Sequence, residues 1–139
     1  MEWFIKVLHQ YADFKGRARR KEFWMFGLFY ILFACCAAFA DKLMNTEEYY
    51  LDDMLVDGVF SSIYALALFI PCLAVSVRRL HDTGKSGWMI LVGIIPFVGW
   101  LWLLVLYCEN SQRGNNAYGP NPKGEWIPQA RPENPEYRP

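Results

Sequence analysis

Charged side chains are missing from three stretches of this chain: Phe23 to Ala40, Gly58 to Val77 and Ser86 to Cys108, which are 18, 20 and 23 residues long. A helix needs about 20 consecutive apolar residues to cross a hydrocarbon core about 30 Å thick. Each stretch is of that order. The pattern predicts an all-α integral membrane helical bundle of three apolar spans, at about residues 23–40, 59–77 and 88–107, within a single membrane domain of residues 1–122.

Ahead of the first span, "MEWFIKVLHQYADF" puts Trp3, Phe4, Val7, Leu8, Tyr11 and Phe14 on one helical face and His9, Gln10 and Asp13 on the other. With "KGRARRK" following, this predicts an N-terminal amphipathic helix in the membrane interface. The first span opens on an aromatic cluster and closes on small residues. "AFAD" at 38–41 has the grammar of a signal-peptide cleavage site, but the long aromatic helix before it and the spanning length of the run favour a retained span.

Two further features mark the later runs. Pro71 in the second span removes a backbone donor, so a kink is expected, with a neighbouring group satisfying the freed carbonyl. The third run is broken by Gly93, Pro96 and Gly99. One kinked helix from Trp88 to Tyr107 would be roughly 30 Å long and would cross, whereas two halves would form a re-entrant hairpin. Crossing is the favoured expectation, because turn backbone exposed to hydrocarbon is costly. From Glu109 the composition shifts to Asn, Gly and Pro, which predicts turns and then a disordered tail over residues 123–139.

The whole-chain averages, 54% hydrophobic and 20% charged with no net charge, do not separate a soluble protein from a membrane protein. The distribution of charge does. Residues 1–22 carry a net +3, residues 41–57 a net −5 and residues 78–85 a net +2. Basic segments alternate with an acidic one, as the positive-inside rule requires of a multi-pass protein of a bacterial inner membrane with its N-terminus and the 78–85 loop cytoplasmic. The acidic connection is long enough for a short surface helix.

The loop "RRLHDTGKSGW" at 78–88 invites a chemical reading, because "TGKSG" resembles the end of a phosphate-binding loop. The full motif needs a glycine where Arg79 stands and a strand where a span precedes it. His81 and Asp82 are adjacent, so they do not face each other on a helix, and no nucleophile or cleft accompanies them. Their expected role is structural, capping or bonding the turn together with Gly84, which can end a helix in the left-handed conformation, while Ser86 starts the next element. Cys35, Cys36, Cys72 and Cys108 lie in or at the end of apolar runs, and His9 and His81 lack neighbours at zinc spacing. No catalytic residue, metal or cofactor is expected.

What remains is charge. If the two basic segments meet, Arg17, Arg19, Arg20, Arg78, Arg79 and Lys85 form a surface for anionic lipid or a partner, and Asp82 or Glu22 can pair with one of the arginines. The expected partners are membrane lipids and either a second copy or another membrane protein, and no nucleic acid.

Four segments, "FKGRARRKEFWMF", "RRLHDTGKSGW", "IIPFVGWLW" and "GNNAYGPNPK", together resemble the bacterial domain-of-unknown-function family 805, with the motifs in family order over about residues 1–123. Met89 departs from the pattern, which often has a second Trp there. The resemblance implies an inner-membrane location and several spans, and brings no activity or catalytic residue with it. The expected function is therefore non-enzymatic, an interaction or envelope accessory protein with a basic cytoplasmic face. Its alternatives are a small oligomeric transporter or channel, with Pro71 and the Gly93, Pro96, Gly99 interruption along its path, and a lipid-modifying enzyme using His81 and Asp82.

Overall fold

The computed structural model describes residues 2–44 and 58–124, and these are helical, without a strand among them. In chain order they form α1 (Glu2–His9), α2 (Arg20–Met44), α3 (Val59–Asp82), a 3-10 helix (Gly87–Ile94) and α4 (Val98–Cys108). Two of these, α2 and α3, are long and apolar enough to cross a membrane, and α4 is a shorter apolar helix. The architecture is a helical membrane bundle. The acidic connection and the expected tail, from residue 125 on, lie outside the described residues.

The distribution of side chains is the inverse of a soluble protein's. Leu28, Ile31 and Leu32 on α2 and Ile63, Leu66 and Phe69 on α3 are exposed, Leu66 to 79%, while Arg78, Arg79, Glu22, Asp41 and Asp82 are almost wholly buried. In water that arrangement would waste the hydrophobic effect and strand charges in the interior. Against lipid it is the expected one, since chains as apolar as leucine can face outward and polar groups must turn inward to find partners.

Helix α1 is docked on α2. Phe4 stacks on Phe26 with ring centroids 5.4 Å apart and also meets Phe29 and Phe33, while Val7 joins Ala18, Phe26 and Val75 in a small core. The helix stops at His9, short of the pattern that runs to Phe14, yet Tyr11 beyond its end has a definite task. Pro71 carries no N–H, so the carbonyl four residues earlier, that of Ala67, has no helical donor. The Tyr11 hydroxyl donates to that carbonyl at 2.5 Å. Helix α3 accordingly runs through Pro71 unbroken.

Asp41 fastens the opposite ends of α2 and α3. Its Oδ1 accepts from the Phe60 N–H at 2.8 Å, and its Oδ2 accepts from the Ser61 N–H at 2.8 Å and the Ser61 hydroxyl at 2.6 Å. A carboxylate at a helix N-terminus satisfies orphan donors and favours the positive end of the helix dipole. The side chain comes from α2 because Gly58, at the N-cap position, has none, and a Cβ on Gly58 would run into Asp41.

The third apolar run does not form the single kinked helix expected from its length. It is folded as a hairpin, whose first limb is the 3-10 helix and whose second is α4. Leu80 of α3 packs with Leu103 and Leu106 of α4 and with Met89 and Ile90 of the 3-10 helix, so both limbs return to the last turns of α3. The interrupting residues make the reversal. The Val98 N–H donates to the Pro96 carbonyl at 2.7 Å around Phe97, whose φ of 61° and ψ of −64° describe a γ-turn. Gly99 lies against the Val92 carbonyl, Gly93 faces Leu103, and the Trp100 indole N–H reaches the Gly93 carbonyl at 2.9 Å. The turn residues Ile94 to Val98 are exposed, but the carbonyls of Val92, Gly93, Ile95 and Pro96 each accept a hydrogen bond from within the hairpin, which lowers the cost that favoured a straight crossing.

Candidate functional site

The two basic segments meet at one end of the bundle, where the Ala18 N–H donates to the Arg78 carbonyl at 3.0 Å. Helix α3 ends there in a Schellman motif. Gly84, at φ 75°, donates to the His81 carbonyl, and the Lys85 N–H donates to the Leu80 carbonyl, each at 3.0 Å. Ser86 then caps the 3-10 helix through the Trp88 N–H.

At the centre of this end stands Asp82. Its Oδ1 accepts from Arg17 Nε at 3.0 Å, and its Oδ2 accepts from Arg79 Nη1 and from the Ser111 hydroxyl, both at 2.5 Å. The side chains of Arg17, Arg79 and Asp82 are at most 1% exposed. Two guanidiniums on one carboxylate leave excess positive charge, and backbone carbonyls absorb it. Arg17 donates to the carbonyls of Gln112 at 2.6 Å and Gly114 at 2.8 Å, and Arg79 to those of Tyr107, at 3.1 Å, and Glu109. These acceptors come from the end of α4 and from the segment after it. The Gln112 N–H completes the join by donating to the Asp82 carbonyl at 2.9 Å.

A second ion-pair group lies beside the first. Glu22 is fully buried between Lys6 Nζ, at 2.6 Å, and Arg78 Nη1, at 3.5 Å, and Arg78 also donates to Gln10 Oε1. His81 stacks face to face on Tyr118, with centroids 3.8 Å apart and planes 4° from parallel, while its Nδ1 lies 3.3 Å from the Gly16 carbonyl. Asn116 Nδ2 bonds the His81 carbonyl at 2.8 Å. The segment from Glu109 to Asn121 therefore closes over the end of α3 as a strap.

The six candidate cations are used differently. Arg17, Arg78 and Arg79 are interior and paired. Arg20 donates to the Glu109 carbonyl at 2.7 Å, Arg19 is half-buried, and Lys85 is exposed. His81 and Asp82, expected in the loop, are the last two residues of α3, and Gly84 is in the turn that ends it; all three take part in the hydrogen bonds there. Sequence reasoning named Glu22 and Asp82 as possible arginine partners but missed Ser111 and the carbonyl acceptors of the strap, because a backbone carbonyl carries no residue-type signal. Among the described residues no group of three or more His, Cys, Asp and Glu side chains is arranged to hold a metal ion. The arrangement is one that fixes shape: its charged groups face each other.

A family model described as protein of unknown function (DUF805) matches residues 11–120. The chain is 42% identical to inner membrane protein YhaH of Escherichia coli strain K12, over 90% of this chain and 99% of YhaH. It is likewise 42% identical to inner membrane protein YhaI of that strain, over 88% of this chain and 97% of YhaI. The uncharacterized protein YiiR of the same strain is 33% identical over 65% of this chain and 62% of its own length. No solved structure matches.

Proposed function

The chain belongs to the DUF805 family, and from that premise we propose that it is a non-enzymatic inner-membrane interaction protein whose cationic end binds anionic lipid. One observation carries the reading. Folding brings the +3 and +2 segments to one end of the bundle, and the −5 segment joins the opposite ends of α2 and α3. The positive-inside rule then puts the N-terminus, the 78–86 loop and the strap in the cytoplasm, with α2 and α3 crossing and residues 87–108 re-entrant. In intact cells of a cysteine-free background, an impermeant thiol reagent should label a cysteine placed at Lys42 and spare one at Thr83. The opposite pattern reverses the orientation.

The lipid-binding groups in this reading are not the buried arginines, which are engaged within the protein, but cations left outside, among them Lys15, Lys21, Lys85 and Arg113, with half-buried Arg19. Each near an anionic surface contributes about 1 kcal/mol. Reversing Lys15, Arg19 and Lys21 to glutamate should lower retention of phosphatidylglycerol on the detergent-solubilised protein, read by native mass spectrometry, without lowering its thermal midpoint. Unchanged retention would remove the proposal.

A further inference from the structure

Beside the polar end, a groove with a cavity volume of about 580 Å³ is lined by Trp102, Leu104, Val105, Leu106 and Cys108 of α4, with Lys85 and Glu109 also on its wall. That volume is within the range of about 300–1,000 Å³ usual for small-molecule sites. Trp102, Val105, Leu106 and Glu109 follow a helical face at i, i+3, i+4 and i+7, so the wall descends roughly 10 Å from the charged mouth along α4. Its upper edge coincides with the level at which α3 ends in charge, and its lower part adjoins the exposed apolar surface of Trp102 and Leu101. Such a groove has a polar end at the membrane interface and an apolar end in hydrocarbon.

The mouth carries the specific information. At this end of the bundle Lys6, Arg17, Arg78, Arg79, Glu22 and Asp82 are in ion pairs, and the Arg20 guanidinium is held by the Glu109 carbonyl. Lys85 and Glu109 are exposed, one of each sign, and neither has an ion-pair partner among the described residues, each other included. Both are held in place through their backbones, Lys85 by the Schellman motif and Glu109 by Arg20 and Arg79. A phosphate alone would meet Lys85 but be repelled by Glu109. A headgroup carrying both a phosphate and a primary ammonium satisfies the two together, and an ammonium with N–H donors can hydrogen-bond the carboxylate as a quaternary one cannot.

We propose that this groove binds a phosphatidylethanolamine, with its phosphate on Lys85, its ammonium on Glu109 and an acyl chain along the exposed Trp102 and Val105. The site rests on the membrane placement proposed above and not on the preference for anionic lipid, from which it differs by requiring Glu109.

The test is native mass spectrometry of the full chain in detergent, titrated separately with phosphatidylethanolamine, phosphatidylcholine and phosphatidylglycerol of matched acyl chains. Phosphatidylethanolamine should be retained about tenfold more strongly than phosphatidylcholine, the scale of a charge-assisted hydrogen bond. Glu109→Gln should abolish that preference while leaving phosphatidylglycerol retention undiminished. Val105→Trp, at an exposed position, should fill the groove and weaken retention of phosphatidylethanolamine independently of charge. Equal retention of phosphatidylethanolamine and phosphatidylcholine by the wild type, or a preference unmoved by both variants, overturns the site. Neither variant touches Lys15, Arg19 or Lys21, so loss of the anionic reading and loss of this one register in different lipids.

Discussion

Asp82 holds together two guanidiniums, a serine hydroxyl and, through its carbonyl, the chain of the strap. Removing one partner of a buried ion pair costs more than the pair contributes, because the remaining charge stays in a poorly solvated place. Asp82→Ala leaves two such charges, and its expected destabilisation is about 3–5 kcal/mol, at the scale of breaking a buried pair. Arg79→Lys should also be costly, by about 1–3 kcal/mol for lost charged hydrogen bonds. Arg79 spreads three nitrogens over Asp82, Tyr107 and Glu109, and a single ammonium on a flexible stem cannot reproduce that fork. Thermal unfolding in detergent measures both. A thermal midpoint for Asp82→Ala equal to the wild type's would mean that the network is not a source of stability.

At the scale of elements, the absence of charge located the middles of α2 and α3, since each contains a long charge-free run that must be helical in hydrocarbon, while charged residues extend both helices beyond that run. The same criterion misread residues 88–107, where length argued for one helix and the structure has two limbs. The interruption is present in the sequence as Gly93, Pro96 and Gly99, but it becomes decisive only through contacts between the limbs, which composition does not contain. Gly99 is the clearest case: any Cβ there collides with the Val92 carbonyl. Gly99→Val should therefore push the limbs apart without unfolding α2 or α3. Spin labels at Leu91 and Leu104, both exposed, should give a short, narrow distance distribution in the wild type and a longer, broader one in the variant. An unchanged distribution would show that the hairpin does not depend on that close approach.

Among the described residues, the long helices are fastened at each end. Asp41 ties the α3 N-terminus at the far end, and the Asp82 network ties residues 17–22, 78–85 and 107–121 at the near end. Much of the near end was legible in advance, because Arg17, Arg78, Arg79, Asp82 and Glu22 stood out as charges flanking apolar runs. The turn-rich character of residues 109–124 was legible as well, but its docking was not, since Gln112 and Gly114 contribute carbonyls that any residue could offer. That difference leads to a prediction about chain length. A chain ending at Gly124 keeps every contact described for the strap, including the turn in which the Gly124 N–H donates to the Asn121 carbonyl. Its thermal midpoint in detergent should match that of the full chain. A chain ending at Glu109 loses Ser111 from Asp82, the Gln112 and Gly114 carbonyls from Arg17, and Tyr118 from His81. Arg17 then keeps Asp82 but exchanges fixed carbonyls for water, so the expected outcome is a lower midpoint that is more sensitive to salt, because pairs newly open to solvent are screened. If both truncated chains unfold with the full-length midpoint, the strap lies on the bundle without stabilising it, and the excess charge of Arg17 and Arg79 must be met by solvent instead.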